Sequence, residues 1–239
     1  MAPRARPGPL VGAVLASRLV SPEVEDLYDY DVVRSLGEPT MFVVRLGEPT
    51  LVLGASQSVK ILDRNNVGSL ALRRRRGGGG LVLLQPDDLW VDWWIPVTDP
   101  RWSPDVRASS LRVGGWWRDV LATHVQGEVS MHEGALEGEE DHRVVCFAGR
   151  GPGEVFVDGR KAVGLAQWRV HEGSFLTSVL HASPSSSVVD LLVNPPAGLR
   201  AALDHHVTAS LAIDNPEGLL VDLRHAGGPW LERQLFLTT

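Results

Sequence analysis

At 239 residues, 44% of them hydrophobic and 22% charged, the chain has the composition of a soluble globular protein with room for one large domain, which excludes global disorder. A formal net charge of -6 excludes a general nucleic-acid-binding surface, and no window approaches the roughly 20 apolar residues that a membrane span needs. One cysteine, Cys146, excludes an internal disulfide and, with no secretory features, points to a reducing cytoplasm.

In chain order, residues 1–20 join a basic start to a short apolar patch broken by Pro9 and Gly12, and read as a flexible leader before a single domain over 21–239. Ser21-Pro22 at one end and Gly37 at the other predict a helix across this stretch. "TMFVVRLG" and "TLVLGASQS" predict two strands split by Glu48-Pro49. "GLVLL" (80–84) and "LWVDWWIPV" (89–97) predict a strand pair around the turn "QPDD". Val106, Val113, Trp117, Val120 and Leu121 follow helical spacing within 104–125, and residues 126–143 read as an exposed acidic loop. "VVCF", "EVFV", "KAVGLAQWRV" and "SFLTSVLHA" then predict strands, with Asp158-Gly159 and His171-Glu172-Gly173 as hairpin turns. The last third predicts helices, one capped by Asn215 with Pro216 in its first turn. The fold class is α/β (α+β): a mixed, mostly antiparallel sheet covered by helices.

Three features carry candidate chemistry. In "LRRRRGGGGLVLL" (72–84) four glycines can expose backbone N–H groups to a ligand beside positive charge, or form a flexible loop beside a solvated basic run. Cys146 reads as a small buried hydrophobe or as a nucleophile. Lys60 and Lys161 are the only lysines among 23 basic residues, and Lys161 follows a hairpin turn that could return it to Cys146, where an ammonium would favour thiolate. Taken alone it reads as a surface residue. The eight histidines show no metal-ligand spacing, so no metal site is expected. The tryptophans clustered between Trp90 and Trp117 read as core or as the lining of an apolar channel.

The order of "LVLGASQS", "RRRRGGGGLVLL", "VCF" and "EVFVDGRKAVGLAQ" resembles the lipoate-protein ligase A and cysteine-dependent octanoyltransferase family, from about Pro39 to Gln167. The resemblance implies a biotin/lipoate protein ligase-like catalytic domain. It implies that Gly54 and Gln57 belong to the first substrate-binding motif, and that Arg74, Gly77, Gly78 and Gly79 form the loop around the acyl group. Lys161 matches the lysine that orients the acyl carbonyl, with Gly164, Ala166 and Gln167 completing its motif, and Cys146 matches the acyl-carrying cysteine. The chain departs from the family at Leu83 and Leu84, where a His-Asp pair is usual, at Leu165 in place of serine, and at Arg76. His171-Glu172-Gly173-Ser174 carries one residue more than the family's His-Gly-(Ser/Thr).

The resemblance implies acyl transfer: an octanoyl or lipoyl-type group leaves an acyl-carrier protein, rests on Cys146 as a thioester, and passes to the lysine of a lipoyl-type domain, with no cofactor. One alternative is an ATP-dependent lipoate ligase using ATP and Mg, with Cys146 as packing. Another is a non-catalytic relative that binds an acyl ligand or a partner. No nucleic acid or membrane partner is expected.

Overall fold

A computed structural model describes residues 19–21, 24–182, 186–207 and 211–237. Residues 1–18, most of the expected leader, lie outside the described residues. Two sheets face each other. The smaller has the order β1-β2-β5-β4-β6, built from Leu19–Ser21, Val24–Asp26, Ala71–Arg74, Thr50–Leu53 and Val82–Leu84 respectively. The larger runs β12-β3-β7-β11-β10-β9-β8, from Leu231–Leu237, Thr40–Leu46, Leu89–Pro96, Gly173–Leu180, Arg160–Val170, Val155–Val157 and Val129–Met131. Its pairings are antiparallel except β12 with β3. In the smaller sheet β2, β5 and β4 run parallel.

β7 shows why the larger sheet is central. Every residue from Leu89 to Pro96 is buried. Alternation sends Trp90 and Trp94 into the core between the sheets, and Val91, Trp93 and Ile95 to the opposite face. That second face is covered by α3 (Val106–His124) through Val113, Trp117 and Leu121, and by α5 (Pro216–Gly227) through Leu219 and Leu223. Each such fully buried large side chain contributes roughly 1.5–3 kcal/mol. The inter-sheet core is closed at one side by α4 (Leu199–His206), through Leu199 and Leu203. No helix among the described residues is long and apolar enough to cross a membrane.

Several expectations change. The helix predicted after Ser21 begins only at Tyr30, as α1 (Tyr30–Arg34) capped by the Asp29 side chain, because Glu25 and Asp26 pair with Arg73 and Arg74 in the smaller sheet. β6 and β7 are not a hairpin: β6 pairs with β4, and β7 with β3 and β11. The turn between them passes the chain from one sheet to the other. "VVCF" is not a strand: Val144 ends one 3-10 turn (Asp141–Val144), Cys146 opens another (Cys146–Ala148), and Val145 between them bridges to Leu81. The expected acidic loop contains β8, and the C-terminal third ends in a strand, β12. Ser186–Leu191 is a 3-10 turn.

Candidate functional site

β4 and β5 lie side by side and parallel, so the loops that follow them emerge together. A Cβ on Gly54 would stand 2.0 Å from the Gly79 carbonyl oxygen, and the Ala55 N–H donates to the Gly77 carbonyl at 3.0 Å. Gln57 fastens the same junction: its Oε1 accepts from the Gly54 N–H at 3.0 Å, and its Nε2 donates to the Val144 carbonyl at 2.9 Å. Gly54→Ala forces backbone apart at this contact, and equilibrium denaturation should register a loss of about 3 kcal/mol.

The four arginines separate completely. Arg73 pairs with Glu25 at 2.9 Å. Arg74 Nη1 donates to the carbonyls of Gly54, Ala55 and Gln57 at 3.1, 3.3 and 2.6 Å, so it holds the first loop in shape. Arg76 pairs with Asp26 at 2.8 Å and lies over the Tyr30 ring. Arg75 turns inward: it is 2% exposed, donates to the Gly78 and Gly80 carbonyls, and lines a cavity.

That cavity is a half-open cleft between the two sheets, about 320 Å³ when the solvent at its mouth is counted. Val52, Val82, Leu84, Trp90, Thr177 and Val179 wall it, and Arg75, Cys146, Phe147, Gly164, Leu165 and Ala166 complete its lining. The structure thus brings Cys146, Gly164 and Ala166 together at one pocket. Gly79, at φ +89°, places the glycine loop beside them: an ideal Cβ there would sit 3.1 Å from Arg75 Nη2 and 3.8 Å from Cys146 Sγ. Gly77 packs on Ala166, Gly78 has open space on its side-chain face, and Gly164 lies against the Phe147 ring, where a Cβ would come within 2.7 Å. Gln57, Arg74 and Gln167 do not line the cavity: the first two bond to the backbone of the loop after β4, and Gln167 Oε1 accepts from Arg169 Nη1 at 3.1 Å. Two of the positions where the chain departs from the family, Leu84 and Leu165, are apolar lining.

Lys161 is 1% exposed. Its Nζ meets Glu154 Oε1 at 2.6 Å and donates to the carbonyls of Cys146 and Gly149 at 3.1 and 3.0 Å. The hairpin return does bring lysine to Cys146, but to its carbonyl oxygen, pinning the turn that carries the thiol. Burial pushes the Glu154 carboxyl above the usual carboxylate range, with Lys161 opposing that shift. Phe147 links this pair to a second one, its ring 4.8 Å from Lys161 Nζ and 4.2 Å from the imidazole of His181, whose Nδ1 lies 2.9 Å from Asp88 Oδ2.

Behind the cavity wall, Asp92 is fully buried. It accepts from Tyr28 Oη at 2.6 Å and Trp90 Nε1 at 2.7 Å, and burial raises its pKa from 3.8 to about 7. The folded state therefore binds more protons than the unfolded one between these values, and Asp92 makes stability fall as pH rises from 3.8 to about 7. Asp92→Asn should remove that fall. Denaturation at pH 5, 6 and 7 should show the variant gaining on the parent by up to ~1.4 kcal/mol per pH unit.

Arg75, Glu154, Asp88, His181 and Asp92 were not singled out from the sequence. For Glu154 a signal existed, since it lies across the Asp158-Gly159 hairpin from Lys161. Nothing local distinguishes Arg75 within a run of four arginines.

Two loops zipped over a pocket between a small sheet and a large one make a lipoate-protein-ligase-like fold. Among the solved structures with a similar fold are the following three. One, from a bipartite lipoate protein ligase of Thermoplasma acidophilum and its E2 lipoyl domain, has a TM-score of 0.64 and 13% identity, covering 87% of this chain and 80% of that one. A lipoate-protein ligase A bound with ATP has a TM-score of 0.58 and 15% identity, covering 88% and 82%. LipL1 of P. falciparum in complex with lipoate has a TM-score of 0.54 and 13% identity, covering 84% of this chain and 54% of that one. At such identities the shared property is the fold. No protein-family model and no curated protein sequence matches the chain.

Proposed function

We propose that this chain transfers a lipoyl- or octanoyl-type acyl group to the lysine of a lipoyl-type domain, through a thioester on Cys146. The observation that carries the reading is the place of the chain's one thiol, in the lining of an apolar cavity beside an arginine and the glycine loop. The fold, shared with structures that hold lipoate or come from a lipoylation system, supports the choice of acyl group and acceptor. The Cys146 thiolate attacks the carbonyl carbon of an acyl-carrier thioester. The tetrahedral intermediate expels the carrier thiolate, which takes up a proton. The neutral amine of the acceptor lysine then attacks the Cys146 thioester, loses a proton, and releases the Cys146 thiolate as the amide forms. A reducing cytoplasm, the compartment proposed for the chain, would keep the thiol available.

An ATP-dependent ligase would place the chemistry on Lys161, as the cation meeting the adenylate. Lys161 Nζ is instead engaged with Glu154 and two carbonyls, which favours the thioester route. The test is incubation with octanoyl-carrier protein followed by intact-mass measurement, then addition of a lipoyl domain. An acyl adduct on the enzyme that chases to the domain is expected. Transfer that needs free acid and ATP, with no enzyme adduct, would give the ligase reading instead.

A further inference from the structure

Arg75 is a buried cation in an unusual setting. It meets no carboxylate among the described residues, and its Nε and Nη2 donate to the Gly78 and Gly80 carbonyls while Nη1 donates to no group among them. It nevertheless lines a cavity whose other walls are almost wholly apolar. An uncompensated buried charge of this kind is expensive unless an anion joins it. The thiol is close by, since Arg75 Nη2 and Cys146 Sγ both lie within 4 Å of the position a Cβ on Gly79 would take. An acyl carbon attached to Cys146 therefore carries its oxygen into the neighbourhood of the guanidinium.

We propose that Arg75 is the anchor for the oxygen end of the acyl group: it neutralises the carboxylate of a bound free acid and the oxyanion that forms when Cys146 is acylated. The role that the resemblance assigns to lysine thus falls to arginine. Lys161 is committed to Glu154, whereas the Arg75 fork lines the same cavity as the thiol, is fixed in advance by the loop carbonyls through Nε and Nη2, and leaves Nη1 without a partner among the described residues. The second half of this proposal rests on the thioester reading above; the first half, binding of an anionic head group, does not.

The two halves are separated by measuring binding and acylation on the full chain. In calorimetry, octanoate should bind the parent at least ~10-fold more tightly than its neutral isostere octanamide. Arg75→Gln should abolish that preference while octanamide binding stays unchanged, and Arg75→Lys should keep part of it. With an octanoyl thioester, Arg75→Gln should slow acylation of Cys146 by ~10²-fold, whereas alkylation of Cys146 by iodoacetamide, which forms no oxyanion, keeps its rate. The proposal is overturned if Arg75→Gln still prefers octanoate, if octanamide binding falls in parallel, or if alkylation slows as much as acylation. A parent that shows an Arg75-dependent octanoate preference but never takes an acyl group upholds the anchor and sinks the thioester route.

Discussion

Cys146→Ala should lower acyl transfer from a carrier protein to a lipoyl domain by ~10³-fold or more and leave no acyl adduct by intact mass. The same substitution should leave the melting temperature nearly unchanged. Cys146 is half-buried, and its structural contacts belong to its backbone: the N–H donates to the Leu81 carbonyl at 2.9 Å, and the carbonyl accepts from Lys161. Alanine keeps both. Loss of transfer without loss of stability therefore isolates the thiol. An alanine variant that transfers at the parent's rate would falsify the thioester route and return Cys146 to a packing role.

Lys161→Met should produce the largest loss of stability. It removes one partner of a fully buried ion pair, and such breaks cost about 3–5 kcal/mol because the other charge is left without its partner. Glu154 can escape by taking up a proton, since burial already raises its pKa. In the variant its folded-state pKa rises further, so the variant is least impaired at acid pH and loses stability as pH climbs past the ordinary glutamate range. The double variant Lys161→Met/Glu154→Gln should recover much of the loss and show little of this pH dependence. Urea denaturation of parent, single and double variants at pH 5 and pH 8 measures all of these effects. Equal destabilisation at both pH values would mean that the Glu154 charge is not what the lysine offsets. Activity should fall in both variants, because the turn bearing Cys146 loses the donor to its carbonyl.

The sheet strands that read clearly from the sequence were those whose side chains alternate and whose turns have special residues. β9 and β10 join through Asp158 and Gly159, both at positive φ, and β10 meets β11 across His171-Glu172. What escaped was set by tertiary pairing. Val24–Asp26 looks helical beside Tyr30 and Val33 until β5 offers it a ladder. β12, with Glu232, Arg233 and Gln234, has an edge strand's polarity and little periodicity. The run Val144–Phe147 has strand composition, yet it packs under α4 and makes one bridge among the described residues, so it curls into turns. The candidate site was legible in part, because the glycine loop and Cys146 carry signals of residue type. Their relation was not, since which arginine points inward and which atom of Cys146 the lysine meets depend on side-chain direction.

On the thioester reading proposed above, the leucines at 84 and 165 would have a kinetic consequence. Polar groups in the same places would give water a foothold against the pocket wall, whereas Leu84 and Leu165 extend the apolar lining formed by Val52, Val82, Trp90 and Val179. A thioester has two fates, aminolysis by an incoming lysine and hydrolysis, and a wall with fewer polar groups disfavours the second. An acyl group resting on Cys146 against these leucines would be long-lived between encounters. The protein could then stay loaded after its donor has left and wait for an acceptor.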